Sequence, residues 1–261
     1  MVEQIIKAKL ADIETQESVR IVYACESGSR AWGFPSSDSD YDVRFIYLHP
    51  LEWYLSIEKR RDVIERPIDG QLDINGWDLR KALQLFRKSN PPLFEWLNSP
   101  IVYLQKYSVS DRLRSILPTY YLPSATAYHY LQMAQGNYRE YLKGDEVWVK
   151  KYFYVLRPLL AVNWIEQGLG VVPTEFAILV EKIITSPSLK VEINRLIEAK
   201  RRGDELDKGP RISIISEFIE TEILRFDNHQ FNYPKLKAPA AELDRLFMES
   251  LQEVWGSKTT T

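Results

Sequence analysis

The chain has 261 residues, 45% of them hydrophobic and 27% charged, ordinary proportions for a globular protein with one large core or two modest ones. Its formal net charge of -2 gives no global electrostatic case for nucleic acid, so any polynucleotide would need a local basic stripe. No apolar run approaches the roughly 18–20 residues of a membrane span, the segment 1–7 lacks the apolar stretch of a signal peptide, and the single Cys25 excludes an intramolecular disulfide or a cysteine-rich zinc site. These features predict a cytoplasmic protein with no membrane partner.

Loose helical spacing of Ile5, Ile6, Leu10 and Ile13 predicts an amphipathic entry helix over 3–16. Short β-branched and aromatic runs predict strands at 19–25 and 42–48, with a short helix at 51–55 after them. Segments 61–65 and 71–75 flank Pro67 and Asp69-Gly70, whose turn chemistry predicts a β-hairpin. Asp78 precedes Leu79, Leu83 and Phe86 as a helix cap, and a short helix (93–98) and a strand (101–103) close an α/β unit near residue 105. Beyond residue 107 the spacing is helical: 128–142, 147–167, 173–185, 188–201, 211–226 and 239–255. The expected architecture is α/β (α+β), a mixed-sheet domain over 1–107 followed by an all-helical domain over 108–261, with a cleft between them for the ligand.

The chemistry concentrates in the stretch from Gly28 to Phe45. An apolar strand runs into Gly28-Ser29, and after a short gap Asp40 and Asp42 open a second strand. Their i, i+2 spacing puts both carboxylates on one face while Tyr41 and Val43 take the other. Carboxylates held side by side repel and are normally tolerated with a cation between them. Hard oxygen donors at an open site suit Mg²⁺, whose remaining shell comes from water and substrate phosphates. The Gly28-Ser29 turn offers backbone N–H groups and a hydroxyl to those phosphates. A polar loop with solvated acids is the bland alternative for an isolated Asp-x-Asp.

The combination of Gly28-Ser29-Arg30-Ala31, Gly33 and Ser39-Asp40-Tyr41-Asp42 resembles the DNA polymerase beta superfamily of nucleotidyltransferases. Asp73-Ile74-Asn75-Gly76-Trp77-Asp78, then Lys88-Ser89-Asn90-Pro91-Pro92 and Lys150-Lys151-Tyr152-Phe153-Tyr154, is similar to the RlaP-like group associated with RNA repair. The resemblance implies a nucleotidyltransferase fold and metal-dependent transfer of a nucleoside monophosphate from an NTP to an acceptor hydroxyl, an RNA end being the preferred acceptor. It implies two Mg²⁺ or Mn²⁺ ions held by Asp40, Asp42 and a third acid from a later strand. Asp73, on a predicted strand, is favoured over Asp78, which already has a capping role. Gly28, Ser29, Arg30, Lys150, Lys151 and Tyr154 are the expected nucleotide-binding residues. Lys150, Tyr154 and Arg157 share a helix face, which without the resemblance reads as solvated basic surface. Protein nucleotidylylation of the toxin–antitoxin kind and a non-catalytic nucleotide- or RNA-binding module are the rival functions. His49, His129 and His229 have no metal-ligand spacing and carry no catalytic expectation.

Overall fold

The computed structural model describes residues 2–204, 206–227, 229, 231 and 239–256. The chain separates into two compact units that interleave along the sequence: residues 1–28, 40–121 and 236–261 form the first, residues 29–39 and 122–235 the second.

The first unit is built on a five-stranded mixed sheet. Strands β1 (Arg20–Glu26), β2 (Tyr41–Leu48), β3 (Val63–Glu65), β4 (Leu72–Asp78) and β5 (Val102–Gln105) lie in the order β3-β4-β2-β1-β5. β1 runs antiparallel to β2 and β5, and β3 antiparallel to β4, whereas β2 and β4 are parallel. Helix α1 (Val2–Gln16) buries Ile6, Leu10 and Ile13 with Val43, Phe45 and Tyr47 of β2 and Ile74 of β4. Strand alternation therefore commits Asp42 and Arg44 to the opposite face. Between β2 and β3 lies the short helix α3 (Leu51–Tyr54). Helices α4 (Leu79–Arg87), α5 (Pro91–Leu97) and α6 (Val109–Tyr120) pack against β1, β2 and β4.

The hairpin expected over 61–75 forms, but β4 continues through Asp78. Gly76 permits the extension: a Cβ there would stand 2.2 Å from Cε2 of Phe45. The ring of Phe45 occupies the space a side chain would need.

In the second unit, α7 (Pro123–Tyr141), α8 (Lys151–Glu166), α9 (Phe176–Ile183), α10 (Pro187–Arg202) and α11 (Ser213–Asp227) share one core. Tyr152, Phe153, Val155, Leu156, Leu159, Leu160 and Val162 are all buried, making α8 apolar nearly all round. Such a helix belongs at a centre, not at a surface. Phe34 joins this core, stacked on Phe153 at 4.5 Å between ring centres and edge-on to Phe176 at 5.5 Å.

Among the described residues, the regular elements of this unit are helices apart from one ribbon. Strands β6 (Glu146–Trp148) and β7 (Lys208–Pro210) pair antiparallel, with Trp148 opposite Lys208. The helix expected from Val147 therefore begins at Lys151, because Val149 N and Lys150 N donate to Asp207 O and Leu206 O (2.9 and 3.0 Å) and are unavailable to a helical ladder.

Candidate active site

β2 and β4 run parallel with Asp42 directly opposite Asp73. Two acids far apart in sequence thereby become cross-strand neighbours on one face. Guanidinium Nη2 of Arg44 bridges them, 3.1 Å from Asp42 Oδ1 and 2.8 Å from Asp73 Oδ2. The Asp42 carboxyl is raised above its ordinary value, first by burial; Arg44 opposes this, while the charges of Asp73 and Asp40 add to it. Asp40, exposed and immediately ahead of β2, is thus close enough to be felt at Asp42.

Two residues outside the sequence motif hold this arrangement. Glu26, fully buried at the end of β1, accepts from the backbone N–H of Asp42 at 2.7 Å and from the hydroxyl of Tyr103. Ser27 N donates to Asp42 O at 2.8 Å. The backbone of Asp42 is therefore clamped on both sides by the end of β1. Gly28 completes the support with φ +60, and a Cβ added there would lie 2.1 Å from Asp42 Oδ2. Only glycine combines that conformation with so close an approach of backbone to carboxylate.

Asp78 takes no part in the pair. It is buried at the N-cap of α4, accepting from Arg80 N (2.8 Å) and Tyr54 Oη (2.6 Å). Burial pushes its carboxyl up to about 6, with the Tyr54 and Arg80 hydrogen bonds pulling the other way. Its capping role is the one its position ahead of Leu79 predicts.

Gly28 opens the short helix α2 (Gly28–Trp32), and the chain passes into the second unit at Ser29. Arg30 donates to Ser39 O at 2.7 Å. Ser36 and Ser39 share a 2.8 Å hydroxyl contact, and Ser39 Oγ accepts from Ser36 N at 2.9 Å. These bonds brace the loop that ends one residue before Asp40.

The expected Lys150, Tyr154 and Arg157 face divides. Arg157 is buried, donates to Thr174 O at 3.2 Å and lies 5.0 Å over Trp32. It stitches the core of the second unit. Lys150 and Tyr154 remain exposed, and Lys151 Nζ sits 4.1 Å over the ring of Tyr141 and 4.8 Å over that of Tyr154. Such cation–π contacts localise the ammonium group.

Among the described residues, no group of three or more His, Cys, Asp or Glu side chains is gathered as a metal site. The donor set nevertheless fits a hard divalent cation. Asp42 and Asp73 offer hard oxygen donors alone, although Arg44 already balances part of their charge. Asp42, Asp73 and Asp40 are the residues that would hold it.

The first unit is thus an α/β fold whose mixed sheet carries the paired acids on one face. The chain belongs to the RNA repair pathway DNA polymerase beta family, matched over residues 2–249. It is 52% identical over 254 residues to "Uncharacterized protein YcgL" of Bacillus subtilis (strain 168), covering 97% of this chain and 98% of that one. Among solved structures it matches a nucleotidyltransferase-like protein from Exiguobacterium sibiricum 255-15 at 11% identity and a TM-score of 0.32, over 97% of this chain and 80% of that one. No helix among the described residues is long and apolar enough to cross a membrane.

Proposed function

We propose that the protein transfers a nucleoside monophosphate from an NTP to an acceptor hydroxyl, an RNA end, with release of pyrophosphate. The observation that carries this reading is the in-register pairing of Asp42 with Asp73, with the backbone of Gly28 pressed against the Asp42 carboxylate. Mg²⁺ or Mn²⁺, when bound, supplies the positive charge that phosphate oxygens require during displacement. Asp40, Asp42 and Asp73 would hold it. Asp73 also serves the attacking side, taking the proton of the acceptor hydroxyl on its carboxylate. Gly28 and Ser29 receive the distal phosphates through backbone N–H groups and the Ser29 hydroxyl. The description of the family supports RNA as the acceptor. With Cys25 as its single cysteine the chain has no internal disulfide to form, which is compatible with a cytoplasmic setting.

The test is incubation of the purified protein with each α-labelled NTP, Mg²⁺ or Mn²⁺ and total RNA. Labelled RNA is expected from the wild type and none from Asp42→Asn or Asp73→Asn, while Asp78→Asn keeps most of its activity. Label on protein alone would move the acceptor to a polypeptide hydroxyl. Equal activity in all three variants would refute the acidic pair as the reacting centre.

A further inference from the structure

Arg44 has no place in the sequence motif, yet it is the group most intimately tied to the acidic pair. Its Nη2 contacts Asp42 Oδ1 and Asp73 Oδ2, while Nη1 donates to Asp73 O at 2.9 Å and Val43 O at 3.1 Å. Its side chain is only 17% exposed. A planar fork suits this arrangement because one guanidinium reaches two carboxylates and two carbonyls without reorienting.

We propose that Arg44 is a built-in counter-cation: it ties Asp42 and Asp73 together when no divalent ion is present and competes with that ion for their charge. The inference rests on the metal-binding reading above and deepens it. Two neighbouring carboxylates on a half-buried strand face would push apart or take up a proton if left alone. The guanidinium removes that penalty and keeps the pair in register. The same positive charge opposes a second cation nearby, at an interaction energy that grows as water is excluded. The site is therefore formed in advance but holds a free divalent ion weakly. A triphosphate, bringing its own negative charge with the ion, offsets the repulsion from Arg44. Loading is coupled to the nucleotide, and Arg44 is a positioning residue that sets this coupling.

The experiment measures Mn²⁺ affinity by paramagnetic resonance of the free ion, without and with a non-hydrolysable NTP, on the whole chain. Wild type is expected to bind Mn²⁺ weakly alone and much more tightly with the nucleotide. Arg44→Met should bind Mn²⁺ alone at least tenfold more tightly, which shrinks the nucleotide's enhancement. Arg44→Lys keeps the charge but not the fork, so its affinity for Mn²⁺ alone should stay nearer the wild type than that of Arg44→Met even though the tether is weakened. Damage to the fold would weaken metal binding, the opposite sign. If Arg44→Met needs Mn²⁺ to show a cooperative melting transition, the tethering half of the proposal is borne out directly. Unchanged or weaker Mn²⁺ binding in a folded Arg44→Met, or Lys behaving like Met, overturns the role of Arg44 alone. A wild type that binds no Mn²⁺ under either condition overturns the metal reading together with it.

Discussion

Gly28 illustrates how a single missing side chain sets a site. Its φ of +60 is a conformation that L side chains rarely adopt, and a methyl group there would meet Asp42 Oδ2 at 2.1 Å. Gly28→Ala must therefore either shift the turn or push the Asp42 carboxylate off its axis with Asp73. The strained backbone alone costs about 1–3 kcal/mol. The expected outcome is a lower melting temperature and a fall in transfer rate larger than the stability loss explains, checked by thermal unfolding alongside the labelling assay. Retention of wild-type rate in a destabilised variant would separate Gly28 from the reacting centre. Asp40, Asp42 and the glycine were legible in the sequence because strand alternation and turn chemistry are local properties. Arg44 and Glu26 were not. One more charge in a strand that continues Val43-Arg44-Phe45, or one acid ending an apolar strand, has no distinguishing spacing. Their roles come from what lies across the sheet: Asp73 for Arg44, the Asp42 backbone for Glu26.

At the scale of elements, α4 starts where it does because Asp78 caps it while fully buried. An unfolded chain releases this proton near the ordinary 3.8, the folded protein near about 6. Folding thus takes up a proton between these values. The contribution of Asp78 to stability is fully present below 3.8 and is lost as pH rises through about 6. Asp78→Asn keeps the acceptor and does not ionise, so the variant's stability relative to wild type should rise between pH 4 and pH 8. The change is expected on the order of 2–3 kcal/mol, the worth of a shift of this size. Denaturant titrations at the two pH values check it, and a pH-independent difference would show that burial does not set this carboxyl. The helix and its cap were both visible in the sequence, whereas the ribbon of β6 and β7 was not. Its strands are three residues each, and the pairing of Trp148 with Lys208 joins segments that α8, α9 and α10 separate in sequence.

At the scale of the molecule, the last helix returns to the first unit. Helix α12 (Ala241–Trp255) packs on α4 and α6, burying Leu243, Leu246 and Leu251. Glu253 accepts from Ser108 N and Oγ at 3.0 and 2.7 Å, and Arg20 lies 4.9 Å over the Trp255 ring. Three buried leucines at roughly 1.5–3 kcal/mol each are comparable with the whole margin of about 5–15 kcal/mol that holds a domain folded. A fragment of residues 1–107, which ends where the composition changes, lacks both α6 and α12. It is expected to show no cooperative transition by circular dichroism, whereas the full chain does. A sharp melt from that fragment would mean the sheet and α1 suffice for an independent core.

The sequence by itself determined the strand–turn–strand that carries Gly28, Asp40 and Asp42, the hairpin that carries Asp73, the Asp78 cap and the helical character of the later chain. Each depends on periods of 2 or 3.6 residues and on turn residues, which are written into neighbouring positions. Only the tertiary structure decided that β2 and β4 run parallel with Asp42 opposite Asp73, that Arg44 bridges them, that Arg157 is core, and that α12 belongs with the sheet. Those outcomes depend on which apolar faces find each other across long separations, and local periodicity is silent about partners. Parallel register in particular is settled by burying Val43, Phe45 and Ile74 beneath α1, and the acidic pair on the opposite face follows from that burial.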